Sequence, residues 1–335
     1  MYQIARWKEE DRRILFRNTG ARLGFHEAIV EKDFWVCLML DYLFHRCSFK
    51  DAFTFKGGTS LSKCFGLIKR FSEDIDLILD WRVLGYDRLE PWRKRSNSQQ
   101  NRFNEDTNNK AAQFIAGKLL PELQSDLSEI IGKPAELSVD AIDNQTVCFH
   151  YPRIFQANGI LQSIRLEIGA LAAWTPASQK NILSYVAECY PDIFDQAETA
   201  VLTTDAVRTF WEKVTILHHE ANRPADSPMP VRYSRHYYDI YCMTKAGVHL
   251  KAFDQLPLLK KVVDFKMKFY PRKWARYEDA VPGMIKLLPP EHRYKALDDD
   301  YQKMSEMMFG EYPDFKTLMI CLDDLEKAIN QLEGQ

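Results

Sequence analysis

Residues 1–47 follow a helical period of apolar positions. The stretch from Glu27 to Phe44 is apolar on most faces after its first turn, which predicts a helix buried in a core. The pattern then shortens. Residues 52–80 read as strand, helix, strand. Leu61, Cys64, Phe65 and Ile68 stand at i, i+3, i+4 and i+7, one apolar helical face, and Asp74-Ile75-Asp76-Leu77-Ile78-Leu79 reads as a strand. Residues 81–132 are more polar, with an exposed loop expected over Trp92–Gln100 and a helix from about Asn108 to Ile131. Strands are expected at 135–142, 145–152 and 161–169, the last alternating cleanly through Ser163-Ile164-Arg165-Leu166-Glu167-Ile168. Pro176 and Pro191 mark irregular chain, and from about 204 the pattern turns helical, with runs near 204–221, 234–246, 251–268, 273–288 and 313–332. This order predicts an α/β (α+β) front half with a mixed sheet and a mostly helical back half, divided as 1–190 and 191–335, with no internal repeat.

The richest segment is 55–79, FKGGTSLSKCFGLIKRFSEDIDLIL. Alternate strand residues share a face, so Asp74 and Asp76 point one way while Ile75 and Leu77 point the other. Two adjacent carboxylates raise each other's pKa, a cost that a hard cation removes, and magnesium prefers one or two carboxylates completed by phosphate oxygens. Upstream, Gly57 and Gly58 allow a sharp turn, Thr59 or Ser60 is a natural N-cap, and the free amides of a helix start welcome phosphate. Each part alone has a plainer explanation, a turn or a solvated acidic pair. Their order within one strand–helix–strand unit is what favours a nucleoside triphosphate site.

Composition narrows the setting. The chain has 335 residues, 46% of them hydrophobic and 27% charged, enough for two cores. A formal net charge of −2 means that any nucleic-acid surface must be local. Seven scattered cysteines without a CxxC read as buried thiols of a reducing compartment. The charged start MYQIARWKEEDRR is no signal peptide, and the apolar run Phe34 to Leu40 is too short to cross a bilayer, so a soluble cytoplasmic protein is expected. The adjacent His218 and His219 point to different helix faces and argue against zinc. GxSxG, GxGxxG and Walker-type GKS or GKT motifs are absent from the sequence.

The run KGGTSLSKCFGLIKRFSEDIDL resembles the signature of the AbiEii/AbiGii toxin family, nucleotidyltransferases of the DNA polymerase beta type. The family's Arg-x-Ser-x-Asp-x-Asp appears as Arg70-Phe71-Ser72-Glu73-Asp74-Ile75-Asp76, and fainter likeness reaches Glu31-Lys32-Asp33 and Trp274-Ala275-Arg276-Tyr277. The resemblance implies a polymerase beta-like domain in which Asp74 and Asp76, with Glu167 from a later strand, hold two Mg2+ ions. It implies nucleotide contacts from Lys56, Gly57, Gly58, Thr59 and Ser60, and from Arg70 and Ser72 unless those only shape the turn. It also implies a triphosphate-binding lysine, matched by Lys213 in Phe210-Trp211-Glu212-Lys213, and a supporting aspartate, matched by Asp239 in Arg235-His236-Tyr237-Tyr238-Asp239. Read from the residues alone, Glu167 is as well explained by an edge-strand glutamate facing water or paired with Arg165 or Arg153. Lys213 and Asp239 would read as a surface lysine and a helix-start acid.

The resemblance further implies the toxin half of a toxin–antitoxin or phage-defence pair, with an NTP as substrate and the tRNA 3′ end as acceptor. An antitoxin of the AbiE type would act on expression rather than by tight binding. Lys251 to Arg276 carries eight basic residues, among them Lys260, Lys261, Lys266, Lys268, Arg272, Lys273 and Arg276, against two acids. Phe269, Tyr270 and Trp274 are interleaved there, a composition suited to RNA phosphates and unpaired bases. Arg88, Arg93, Lys94, Arg95 and Arg102 supply a second basic set. A solvated helix face with its aromatics in the core is the bland alternative. The rival functions are an enzyme placing AMP on a protein hydroxyl with the same site, a DxD glycosyltransferase, and a GTP-holding module without turnover.

Overall fold

Among the described residues, the strands β1 (Phe53–Lys56), β2 (Ile75–Leu79), β3 (Glu136–Val139), β4 (Thr146–His150), β5 (Ile164–Gly169), β6 (Ala177–Ile182) and β7 (Thr199–Thr204) form one mixed sheet. Their order in the sheet is β3-β4-β5-β2-β1-β7-β6. The computed structural model describes residues 1–157, 161–173 and 175–332. β2 runs parallel to β5 and β1 parallel to β7, and the other pairs are antiparallel. Helices complete a mixed α/β chain that is 56% helical.

The chain divides into two units. The first comprises 1–64 and 72–204, and the second 65–71 and 205–335. In the first, the helix Glu27–His45 is buried on nearly every face, and Phe34, Trp35 and Leu38 reach 0% exposure in the core that also holds Phe55 and Leu77. The alternation in β5 does what its pattern requires. Ile164, Leu166 and Ile168 are buried, and Arg165 and Glu167 between them are half-buried.

The second unit is built from the helices Ala206–Ala221, Ser234–Lys245, Val248–Phe253, Leu256–Phe269, Tyr294–Lys303 and Phe315–Asn330. Phe210, Trp211, Leu217, Ile240 and Leu322 are fully buried in it. Residues 65–71 join this unit through main-chain bonds, Phe71 N–H to the Met307 carbonyl at 2.7 Å and Phe309 N–H to the Lys69 carbonyl at 2.8 Å.

Several local expectations give way. Residues 97–100 open a helix rather than a loop. Ser96 caps Asn97–Phe114 in a capping box with Gln99, and a π turn at Ile115–Leu119 leads into Leu120–Ile131, where Pro121 lacks an amide to donate. Where irregular chain was expected, β6 and β7 extend the sheet. β6 is an edge strand of polar residues, so its pairing with β7, not its own pattern, makes it a strand. The run 251–268 is two helices, broken just before Pro257. The run 273–288 is not a helix but two single turns, Lys273–Ala275 and Tyr277–Asp279, with Arg276 between them at φ +48°. The helix after β1 is also shorter than its apolar spacing suggests. It spans Gly57–Lys63 with Lys56 at the N-cap, so neither Thr59 nor Ser60 caps it, and Phe65 and Ile68 fall beyond its end.

Candidate active site

The chain leaves β1 at Lys56 and turns through Gly57 at φ +82°, a backbone conformation that side chains resist. Space forbids a side chain there as well, since a Cβ on Gly57 would lie 1.9 Å from Asp76 Oδ2. The glycine therefore exists so that the Asp76 carboxylate can rest against main chain. The antiparallel register sets Lys56 opposite Asp76, and the parallel register sets Asp76 beside Glu167. In-register neighbours share a face of the sheet, so β5 brings a third acid to Asp76.

Asp74 lies one residue before β2, not within it, and its carbonyl accepts the Thr59 hydroxyl at 2.6 Å. The Ser60 hydroxyl donates to the Gly57 carbonyl at 2.9 Å. Thr59 and Ser60 are 2% and 0% exposed. The Thr59 hydroxyl thus ties the turn to the residue before β2, and the Ser60 hydroxyl closes the turn on itself. Lys56 and Ser72 are half-buried. Glu167 keeps 43% of its side chain exposed, with Arg165 Nε at 3.7 Å, and Arg165 itself holds Asp140 at 2.7 Å.

Among the described residues, no group of three or more His, Cys, Asp or Glu side chains forms a ready-made metal cluster. A site in which protein supplies one or two carboxylates and substrate phosphates supply the rest does not need one. The Gly57 cradle holds the Asp76 carboxylate beside unencumbered main chain, which fits a magnesium–triphosphate group better than a protein-only cage.

The second unit contains a separate charged cluster. Asp239, at 0% exposure, accepts Arg70 Nε at 2.7 Å and Arg70 Nη2 at 2.9 Å, and Lys213 Nζ stands 2.7 Å from its Oδ2. Lys213 comes from the helix Ala206–Ala221 and Asp239 from Ser234–Lys245, where His236 Nδ1 lies 3.4 Å from Lys213 Nζ. Burial by itself would raise the Asp239 pKa, but the two cations hold it below the usual carboxylate range. Burial pulls the Lys213 ammonium down despite Asp239, and Arg70 adds to that pull. Burial and the charge on Lys213 push His236 well below the ordinary histidine value, so it is neutral. Lys213 is not the surface lysine, nor Asp239 the helix-start acid, that spacing alone would make them, and Arg70 is committed to Asp239.

The basic run divides on inspection. Lys260, Lys261, Arg272, Lys273 and Arg276 are exposed, whereas Lys266 and Lys268 are half-buried. Lys260 pairs with Asp264, Arg276 with Asp279, and Lys266 Nζ reaches the Glu212 carbonyl at 3.2 Å. Phe269 is 3% exposed and belongs to the core. Trp274 is wedged by Arg223 at 4.9 Å, Arg272 at 5.8 Å and the His219 ring at 4.4 Å. Of the three interleaved aromatics only Tyr270, 47% exposed, turns to solvent as a stacking platform must. Elsewhere, a cavity of about 500 Å³ lined by Tyr2, Asp41, His45, Arg46, Phe194 and Asp195 includes none of the acidic residues of the turn. The buried charges Lys32, Asp33, Lys63 and Glu73 were not among the expected site residues, although the runs that carry the family likeness contain all four.

The comparison with known families places the chain in a class, the nucleotidyltransferases. Residues 41–330 match the family described as "Nucleotidyl transferase AbiEii toxin, Type IV TA system", and the chain belongs to it. A search of curated proteins returns no match. Among solved structures, the chain is similar to MenT4, a nucleotidyltransferase toxin from Mycobacterium tuberculosis. The identity is 15%, 96% of this chain and 99% of that chain are covered, and the TM-score is 0.42. Among the described residues, no helix is long and apolar enough to cross a membrane.

Proposed function

We propose that this toxin transfers a nucleoside monophosphate from an NTP to an RNA 3′ hydroxyl, with tRNA as the acceptor, and that the reaction is organised around Asp76. The observation that carries this reading is the Gly57 turn, where the missing side chain lets the Asp76 carboxylate rest against main chain, with Glu167 in register on the next strand. Asp76, with Asp74 or Glu167 and the phosphate oxygens of the substrate, would hold Mg2+, and the metal would supply charge neutralisation at the attacking and leaving oxygens.

The chain's own groups do the rest. The amides that follow Gly57 orient the triphosphate, and the hydroxyls of Thr59 and Ser60 keep the turn rigid while it is bound. A carboxylate from the Asp76–Glu167 pair takes the proton of the hydroxyl as its oxygen attacks the α-phosphorus, the bond from that phosphorus to the β-phosphate oxygen breaks, and pyrophosphate leaves. In the second unit, Asp239 fixes the positions of Arg70 and Lys213. The exposed Lys260, Lys261, Arg272 and Lys273 are the proposed contacts to RNA phosphate.

The experiment uses purified protein with Mg2+, each labelled NTP in turn, and separate pools of total tRNA and total protein. Label on tRNA, lost in Asp76→Ala, is the expected result. Label on protein alone would replace the RNA acceptor with a protein hydroxyl. Nucleotide binding without transfer to either pool would make the chain a binding module.

A further inference from the structure

The helix Glu27–His45 buries three consecutive charged residues, Glu31 and Lys32 at 0% exposure and Asp33 at 4%. Successive helical positions diverge by about 100°, so each reaches a different segment of the first unit. Glu31 accepts the amides of Ile154 and Phe155 at 2.7 and 2.9 Å. Lys32 donates to Glu73 Oε2 at 2.6 Å and to the Leu161 carbonyl at 2.8 Å, and the Leu161 amide donates to the same Glu73 oxygen at 3.1 Å. Asp33 pairs with Lys63 at 2.6 Å and accepts the Tyr185 amide at 2.7 Å.

Lys63 and Glu73 are special points on the chain. Lys63 is the last residue of the helix that Gly57 opens, and Glu73 immediately precedes Asp74. Between them, residues 65–71 belong to the second unit. Two neighbouring residues of one buried helix therefore grip the chain where it departs from the first unit and where it re-enters. The Leu161 link ties the same knot to the approach of β5, the strand of Glu167. Stability is a weak reason for this arrangement, because buried ion pairs are often replaced by apolar residues at no loss. What an apolar pair cannot reproduce is a fixed direction and distance.

We propose that Lys32 and Asp33 are positioning residues for nucleotidyl transfer. Acting through Glu73 and Lys63, they hold the Gly57 turn and the entry to β2 in the one geometry that presents Asp74 and Asp76 to the substrate. The proposal rests on the transfer reaction proposed above. Displacement of such groups by about 1 Å costs on the order of a hundredfold in rate.

The test compares wild type, Lys32→Arg, and the double variant Lys32→Leu with Glu73→Leu, which removes both charges of the pair together. Three quantities are measured: transfer kinetics, thermal unfolding, and amide hydrogen exchange over 57–63 and 72–77. The double variant is expected to melt near the wild-type temperature. Its kcat should fall about a hundredfold with a smaller change in KM for the NTP, and exchange should quicken in those two segments and not in β4. Lys32→Arg should recover much of kcat. A folded double variant with wild-type kcat, or with wild-type exchange in both segments, overturns the proposal. If that variant does not fold, Asp33→Asn with Lys63→Met puts the same question to the other grip and is judged by the same two readouts. Wild-type protein that transfers no label overturns the reaction instead, and the exchange data then judge the grips by themselves.

Discussion

Asp239 and Asp76 are both acids of charged clusters, and they are held in opposite ways. Asp239 is fully buried between Arg70 and Lys213, and both its oxygens are engaged by cations of the protein. Asp76 is half-buried, rests against the bare Cα of Gly57, and has another acid, Glu167, in register beside it. The first arrangement is complete in itself and serves to hold two cations at fixed points. The second sets two acids side by side against main chain, with Lys56 in register across from Asp76, the arrangement proposed above to receive a cation with its substrate. A carboxylate that is to work on a substrate must not be satisfied by the fold, and a carboxylate that orders the fold must be.

That contrast can be broken experimentally, and the largest effect should be on catalysis. Asp76→Asn is expected to reduce nucleotide transfer by at least about a hundredfold, the scale of losing one preorganised electrostatic group, with unfolding temperature unchanged or raised. Full activity in that variant would place the chemistry elsewhere. Asp239→Ala should do the reverse first. It leaves Arg70 and Lys213 buried without their counter-charge, which costs about 3–5 kcal/mol, readable as a lower denaturant midpoint.

Gly57→Ala sharpens the same comparison. A side chain at φ +82° that overlaps Asp76 Oδ2 must displace the carboxylate, at a cost of about 1–3 kcal/mol. Transfer should fall more than the stability loss explains.

The second unit should also be sensitive to acid. His219, pushed down to about 3 by burial and by Lys266, Arg272, Arg223 and His218, and His236, well below its ordinary value, are both neutral when folded. A group with a depressed folded pKa takes up protons more readily when unfolded. Its contribution is therefore complete above the unfolded value near 6.5 and is lost as pH falls below it. Denaturant unfolding of the second unit's helices should weaken between pH 7.5 and 5 by roughly 2 kcal/mol for each of these two histidines. An increase over that range would contradict the assignment of neutral histidines.

The smallest effect is expected at Lys260, whose side chain is 77% exposed in an i,i+4 pair with Asp264. Lys260→Ala should shift stability by less than about 0.5 kcal/mol. If the exposed bases meet RNA, it should also shallow the salt dependence of tRNA binding.

The candidate site was legible in the sequence to the extent that its chemistry is local. The glycine pair, the short helix and the two aspartates lie within 55–79, and strand alternation is enough to separate Asp76 from Ile75 and Leu77. Roles assigned to individual polar groups were less legible. Thr59 and Ser60 carry the same hydroxyls whether they face a phosphate or a carbonyl, and only packing shows that they face carbonyls. The aromatics of the basic run are ambiguous for the same reason. Phe269 is core and Trp274 is covered by two arginines and a histidine, which the order of residues does not distinguish from a stacking platform. β6 was invisible because an edge strand of polar residues has no period to read, and its partner β7 lies some way along the chain.

Hydrophobic period and steric demand act over a few residues. The sequence alone therefore determined the buried helix Glu27–His45, the strand–turn–strand frame of the acidic pair, and the helical character after residue 204. Partnership between distant charges depends on where the backbone carries them. The joining of Asp76 to Glu167, of Asp239 to Arg70 and Lys213, and of Lys32 and Asp33 to Glu73 and Lys63 was settled only by the tertiary fold, because each pairing spans dozens of residues or more and no local energy selects it.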